Sequence, residues 1–95
     1  MKRTIEGVTL ESQGTDDRQW HGEVAGEAWV FFLRDDPQGL GVRRLWQGFT
    51  KDHLTGTPTL PTLGDAVLWV KGHKAEIEAK LLVRRAKGTR LVDPT

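Results

Sequence analysis

The sequence predicts a mainly β protein, either a small antiparallel barrel or a two-layer sandwich of six to seven short strands. The first observation is the stretch 66–85, where apolar side chains alternate with polar ones on both sides of Gly72-His73. Such alternation around a two-residue turn is typical of a β-hairpin with one buried face. The second observation is that turn signals recur roughly every ten residues, as in small all-β domains.

The predicted hairpin pairs residues 66–71 with 74–84, and it places Trp69 on the outward face beside Glu76. A helical interpretation of 74–87 competes with it, because this segment consists almost wholly of good helix formers and Gly88 stands at a C-cap position. The alternative fold is therefore α+β, with a C-terminal helix over a small sheet. On a helical wheel one stripe of this segment is apolar, and it consists of Ala75, Ala79, Leu82, Val83 and Ala86.

The N-terminal part of the chain reads as strands. Residues 4–11 form a first strand, with a bulge at Gly7, and residues 19–24 and 27–34 form a second hairpin around Ala25-Gly26. The second arm of that hairpin is apolar on both faces, which predicts a central strand with Trp29 in the core.

The rest of the chain adds turns, a strand and a long loop. Asp35 to Gly39 contains the acidic residues, proline and glycine of a turn, and 40–49 follows as a strand with a kink at Arg43-Arg44. Residues 50–65 are rich in proline and threonine and predict a long loop. A short last strand is predicted over 89–92. Residues 1–95 are read as a single domain, with this loop inside it.

Composition excludes several classes of site. The chain has no cysteine, which rules out disulfides and thiolate zinc sites. Its three histidines lack the short spacing of a metal-binding pair, so no metal site is expected. No apolar run reaches the length of a membrane span. We therefore expect a cytoplasmic protein that does not associate with membranes.

Charge is distributed unevenly although the net charge is only +1. Residues 1–40 hold four basic and eight acidic side chains, whereas 71–90 hold seven basic and two acidic ones. Such asymmetry suits an anionic partner or association between unlike surfaces. It is also compatible with two solvated faces that neutralise each other within the fold.

Catalytic motifs are missing from the sequence. There is no nucleophile elbow, no Walker loop and no dinucleotide-binding glycine pattern. The paired aspartates Asp16-Asp17 and Asp35-Asp36 are neighbours along the chain, so their side chains point in different directions and do not form a catalytic dyad. We expect no enzymatic activity and no cofactor.

The sequence favours a non-catalytic binding or accessory module that acts through protein–protein contacts and self-associates, with a protein partner or a second copy as its ligand. Exposed strand edges and an outward tryptophan suit a homodimer, and an accessory protein of a plasmid, phage or other mobile element is one such role. One alternative is a small β-barrel nucleic-acid-binding protein that uses the basic C-terminal segment. Another is a small enzyme without a recognisable motif. The predicted partner-binding residues are Arg43, Arg44, Trp46, Trp69, Arg84, Arg85, Lys87 and Arg90.

Overall fold

The computed structural model describes residues 1–12, 17–35 and 44–88. These residues form one open antiparallel sheet of five strands, whose spatial order follows the chain, and two helices. The mainly β class is confirmed. The barrel is wrong because the sheet does not close, and the described strands number five rather than six to seven. The elements are β1 (Lys2–Ile5), β2 (Val8–Glu11), β3 (Gln19–Val24), β4 (Glu27–Asp35), β5 (Arg44–Thr50), α1 (Leu63–Gly72) and α2 (Lys74–Gly88).

Two tight turns connect the first four strands in pairs. Glu6 and Gly7 have φ of 50° and 80°, and Ala25 and Gly26 have φ of 53° and 86°. Two consecutive positive φ values are typical of the type I′ turn, whose twist matches that of antiparallel strands. The predicted hairpin around Ala25-Gly26 is thus confirmed. The predicted single strand over 4–11 is wrong, because Gly7 lies in a turn between β1 and β2.

The core lies on one face of the sheet, which we call the inner face. Trp20 on β3 pairs with Phe31 on β4, and Trp29 lies two residues before Phe31 on the same face of the sheet. All three side chains are buried, and the rings of Trp29 and Phe31 stack with centroids 6.1 Å apart. On β5, a Cβ at Gly48 would lie 2.6 Å from the Phe31 ring. Glycine is therefore needed there for Phe31 to pack against β5.

The segment predicted as a β-hairpin, 66–71 with 74–84, forms two helices instead. The Thr62 side chain caps α1 by accepting a hydrogen bond from the Asp65 N–H at 3.0 Å. The buried residues of α1 follow a helical spacing of three and four, and they are Leu63, Ala66, Val67 and Val70. The alternation was misleading because the alternating segment begins at residue 66. The helix cap Thr62 and the first buried residue of the helix, Leu63, both precede that segment.

His73 separates α1 from α2 and ends the first helix. Its backbone N–H bonds to the carbonyls of Trp69 and Val70, and its own carbonyl accepts from the Ile77 N–H at 2.9 Å. Along α2, Ile77 and Leu81 are buried against the sheet, whereas Ala79 and Val83 are exposed. The hairpin interpretation had placed Ala79 and Val83 on the same face as Ile77. In a helix, residues four positions apart lie on the same face, and Ile77 and Leu81 are therefore buried together.

Residues 51–62 connect β5 to α1 and run back along the outer edge of β5. Leu60 exchanges two backbone hydrogen bonds with Trp46, of 2.7 and 2.8 Å, and the Thr57 N–H bonds to the Gly48 carbonyl. The connection therefore covers an edge that would otherwise expose unpaired backbone groups. It corresponds to most of the predicted 50–65 loop. The predicted turn at 36–39, the start of the 40–49 strand and the strand over 89–92 lie outside the described residues.

Burial on the inner face predicts unequal effects of two substitutions of large apolar side chains. Trp29→Ala should lower the free energy of unfolding by about 3–5 kcal/mol, because Trp29 is 1% exposed and its removal leaves a cavity. Leu68→Ala on α1 is the control, since Leu68 is 47% exposed, and it should change stability by less than about 0.5 kcal/mol. Urea denaturation followed by circular dichroism measures both. Equal losses would contradict this assignment of the core.

Candidate functional site

Helix α2 carries two apolar faces, and the sheet uses only one of them. Ile77 and Leu81 point towards the core. On the opposite side of the helix lie five exposed apolar residues, which we call the outer stripe: Ala75, Ala79, Leu82, Val83 and Ala86. A helix that is apolar on both sides and covered on one has a face left for another partner.

The outer stripe has the exposure and spacing of a helix–helix contact. Leu82 is 74% exposed and Val83 55% exposed, the two highest values among the large apolar residues of the helices. Ala75, Ala79, Leu82 and Ala86 follow one another at intervals of four, three and four residues, as the a and d positions of a coiled coil do. The three alanines are small, so a second helix could approach closely along this line.

Charged residues flank the outer stripe, and their balance changes along the helix. Glu76 and Glu78 lie in its first half, and Arg84 and Arg85 lie in its second half. Lys87, one of the predicted binding residues, lies in the last turn. Lys74 and Lys80 also lie in the first half, so that half is close to neutral, whereas the second half is basic.

Arg85 joins the end of α2 to the sheet. Its guanidinium bonds to the Glu27 carboxylate at 2.5 Å and to the Asp52 carboxylate at 2.8 Å. Burial raises the pKa of Asp52, but hydrogen bonds from Thr50, Arg85 and the Leu54 N–H outweigh it, so this pKa lies below its ordinary value. Hydrogen bonds to Glu27 and then to Asp52 raise the pKa of Arg85. We call Arg85, Glu27 and Asp52 the Arg85 cluster.

Arg84 adds a second link between α2 and the sheet by donating to the Leu54 carbonyl. Side-chain hydrogen bonds hold the receiving turn together, because the Thr50 hydroxyl donates to Asp52 at 2.8 Å and accepts from the N–H groups of Leu54 and Thr55. Two of the basic residues predicted to bind a partner thus contact groups of the chain itself. Their positions fix the orientation of α2, and with it the direction in which the outer stripe faces.

The two tryptophans predicted as contact residues are both half-buried and pack against the core. Trp46 lies on the inner face of β5, and Trp69 lies on α1. The Trp69 ring stacks on His73 with centroids 3.9 Å apart, at the junction of the helices. Trp69 therefore lies beside the helix junction and not on the outward face of a hairpin. Arg44 is exposed at the start of β5, and Arg43 and Arg90 lie outside the described residues.

The sequence-based interpretation missed the outer stripe as a site. All five of its residues form an apolar stripe on the helical wheel, but the β-hairpin was preferred over the helical interpretation. The decisive signal was Ile77 with Leu81, four residues apart, which defines a separate buried face. The partner-binding role of the predicted residues stays a prediction.

The Arg85 cluster predicts an acid-sensitive contribution to stability. A double-mutant cycle of Arg85→Gln and Asp52→Asn should give a coupling of about 0.5–1 kcal/mol, as expected for half-exposed charges in a network. Because the folded pKa of Asp52 is depressed, the coupling should be complete above about pH 4 and be lost as pH falls through the folded pKa. Urea denaturation at neutral and acidic pH measures it. Coupling that stays constant down to the lowest pH would contradict this assignment.

The described parts of the chain contain no group of three or more histidine, aspartate or glutamate side chains arranged to hold a metal ion. No helix among them is long and apolar enough to cross a membrane. Comparison with protein-family models, curated proteins and solved structures finds no match to this chain. The proposed function is therefore based on the surfaces of the chain itself. Among these, the outer stripe is an exposed apolar face of a helix.

Proposed function

We propose that the protein is a non-catalytic interaction module that self-associates through the outer stripe of α2. The observation that supports this most directly is the exposure of Leu82 and Val83, at 74% and 55%, on a helix whose other face is already packed. Burying such side chains against a partner gains about 25 cal/mol for each Å² of apolar surface removed from water. A second copy of the chain carries the same stripe, so self-association requires no other partner.

The spacing of the outer stripe supports an antiparallel pairing of the two α2 helices. In that arrangement Ala75 lies opposite Ala86 of the second copy, and Ala79 lies opposite its Leu82. Each Leu82 then meets a small alanine of the second copy, so the two helices can approach closely, while Arg85 keeps its contacts with Glu27 and Asp52. A parallel pairing would instead place Leu82 against Leu82 of the second copy, and these larger side chains would hold the helices further apart. A twofold axis generates the antiparallel contact, as in most homodimers.

The sheet edges offer less to a second copy than the sequence suggested. The outer edge of β5 is occupied by residues 55–60, through backbone bonds to Trp46, Gly48 and Thr50. The β1 edge is four residues long and carries Lys2 and Arg3, and short charged edges resist pairing. The helix face is thus the better supported interface for the proposed dimer.

The alternative of a nucleic-acid surface on the basic C-terminal segment has weaker support. Arg84 donates to the Leu54 carbonyl, and Arg85 bonds to two carboxylates. Phosphate would have to compete with partners that already satisfy these guanidinium groups. Glu76 and Glu78 on the same helix would also repel a phosphate backbone.

Self-association predicts a mass that rises with concentration towards twice the 10.7 kDa of one chain. Leu82→Ser should weaken the dimer by about tenfold or more, because it removes an exposed leucine from the centre of the stripe. Leu68→Ser is the matched control, since Leu68 is 47% exposed on α1 and should leave association unchanged. Sedimentation equilibrium measures both. A mass of 10.7 kDa at every concentration would rule out the dimer.

The antiparallel geometry predicts which cysteines can cross-link, and the absence of native cysteine makes the test clean. Mixing Ala75→Cys with Ala86→Cys should give a disulfide heterodimer under mild oxidation, because these positions meet across the proposed twofold axis. Each variant alone should cross-link poorly, since its two copies would be roughly 16 Å apart at 1.5 Å per residue. Efficient cross-linking of Ala75→Cys with itself would indicate parallel helices instead.

A further inference from the structure

The second face of the sheet, opposite the helices, is covered by neither helix; we call it the open face. Along β3 and β4 its side chains are Gln19, His21, Glu23, Ala28, Val30, Phe32 and Arg34, and none of them is buried. Val30 and Phe32, on β4 between β3 and β5, are nevertheless apolar and half-buried. Large apolar side chains on an uncovered sheet face indicate a contact surface.

Three rings form a row across this face, which we call the ring row: Phe32, Phe49 and His53. Phe32 on β4 and Phe49 on β5 lie 6.2 Å apart, and the His53 imidazole stacks on Phe49 at 5.6 Å with an interplanar angle of 26°. Phe49 lies diagonally across from Phe32, since it pairs with Val30. The row therefore runs from β4, the strand next to β5, to the turn that follows β5.

The backbone at His53 holds the outer ring in place at a conformational cost. His53 has a φ of 59°, in the left-handed region that few non-glycine residues adopt. Its N–H bonds to the Thr50 carbonyl at 2.7 Å, inside the turn that also carries Asp52. The turn that anchors α2 through the Arg85 cluster thus also positions an aromatic ring over Phe49 on the open face.

The charge near the ring row is basic. Two shallow depressions border it, one containing His21, Val30 and Lys51, and the other containing Phe32, Arg34 and Phe49. The described residues that line these depressions include no carboxylate. The Arg34 side chain is oriented along the face by donating to Gln47 at 2.9 Å. Lys51 and Arg34 therefore lie in the two depressions beside the ring row, whose Phe32 and Phe49 rings are tilted by 57° to each other, and Glu23 lies further along the open face.

We propose that the open face binds single-stranded nucleic acid, whose bases stack on the ring row and whose phosphates contact Lys51 and Arg34. Bases bind aromatic side chains through their flat faces and without sequence preference, and cations beside the rings attract the backbone. An acidic peptide would use the same cations but would gain little from three adjacent rings. This site is distinct from the α2 interface and from the basic C-terminal segment.

The test is fluorescence anisotropy at low salt with a labelled oligothymidylate of about ten nucleotides, long enough to cover one small β-domain. The wild-type protein should bind it, and an oligothymidylate–oligoadenylate duplex should bind more weakly because its bases are stacked internally. Phe49→Leu keeps an apolar side chain but removes the ring, and it should weaken binding by about fivefold or more. His53→Asn should also weaken binding, since asparagine tolerates the left-handed backbone but provides no ring.

Matched charge variants separate ring stacking from general attraction to anions. Lys51→Gln should weaken binding, whereas Lys80→Gln, which removes an equal charge from α2, should not. Leu82→Ser should retain binding, so a failed dimer and a failed nucleic-acid site are distinguishable. The proposal is overturned if the oligothymidylate does not bind at low salt. It is also overturned if polyglutamate of equal length competes equally well and Phe49→Leu has no effect.

Discussion

The stacked pair of Trp29 and Phe31 on the inner face of β4 is the contact on which the rest of the fold depends. β4 is the longest strand and lies between β3 and β5, so its inner side chains lie beside those of both neighbouring strands. Phe31 requires the bare backbone of Gly48 on one side, and Trp29 contacts a seam shared with Val70 and Ile77 on the other. The indole N–H of Trp29 is buried without a hydrogen-bond partner among the described residues. The packing and apolar burial of the Trp29 ring are therefore kept at the expense of one hydrogen bond, which would contribute about 1 kcal/mol.

The helices are attached to this core in two different ways. α1 buries four apolar residues, and it is held mainly by the hydrophobic effect. Among the described side chains of α2, Ile77 and Leu81 alone are buried, and Arg84 and Arg85 attach its second half to the turn after β5 and to Glu27. Charged anchors fix direction more than they add stability, because half-exposed ion pairs contribute little free energy. The result is an amphipathic helix in a fixed orientation, with one apolar side left exposed.

The sequence was informative where a local signal had one interpretation. Ala25-Gly26 between two alternating segments specified a hairpin, and the apolar second arm correctly placed Trp29 in the core. It was misleading over 66–84, where period-2 alternation and helical spacing fit the same residues. The choice depended on Thr62 and Asp65, which cap α1 before the alternating run begins. The ring row was not predictable, because Phe32, Phe49 and His53 meet only through strand register and a left-handed turn.

The arrangement of layers has a consequence for how two copies would act together. The outer stripe lies on the side of α2 opposite Ile77 and Leu81, and the open face lies on the side of the sheet opposite both helices. Pairing through α2 therefore places the helices in the middle and directs the two open faces away from each other. Such a dimer would have two binding faces that point in opposite directions. A straight nucleic-acid strand could not contact both faces. The dimer could instead hold together two separate strands, or two distant parts of one strand. Its avidity would then depend on the length of chain between the bound segments rather than on any new contact.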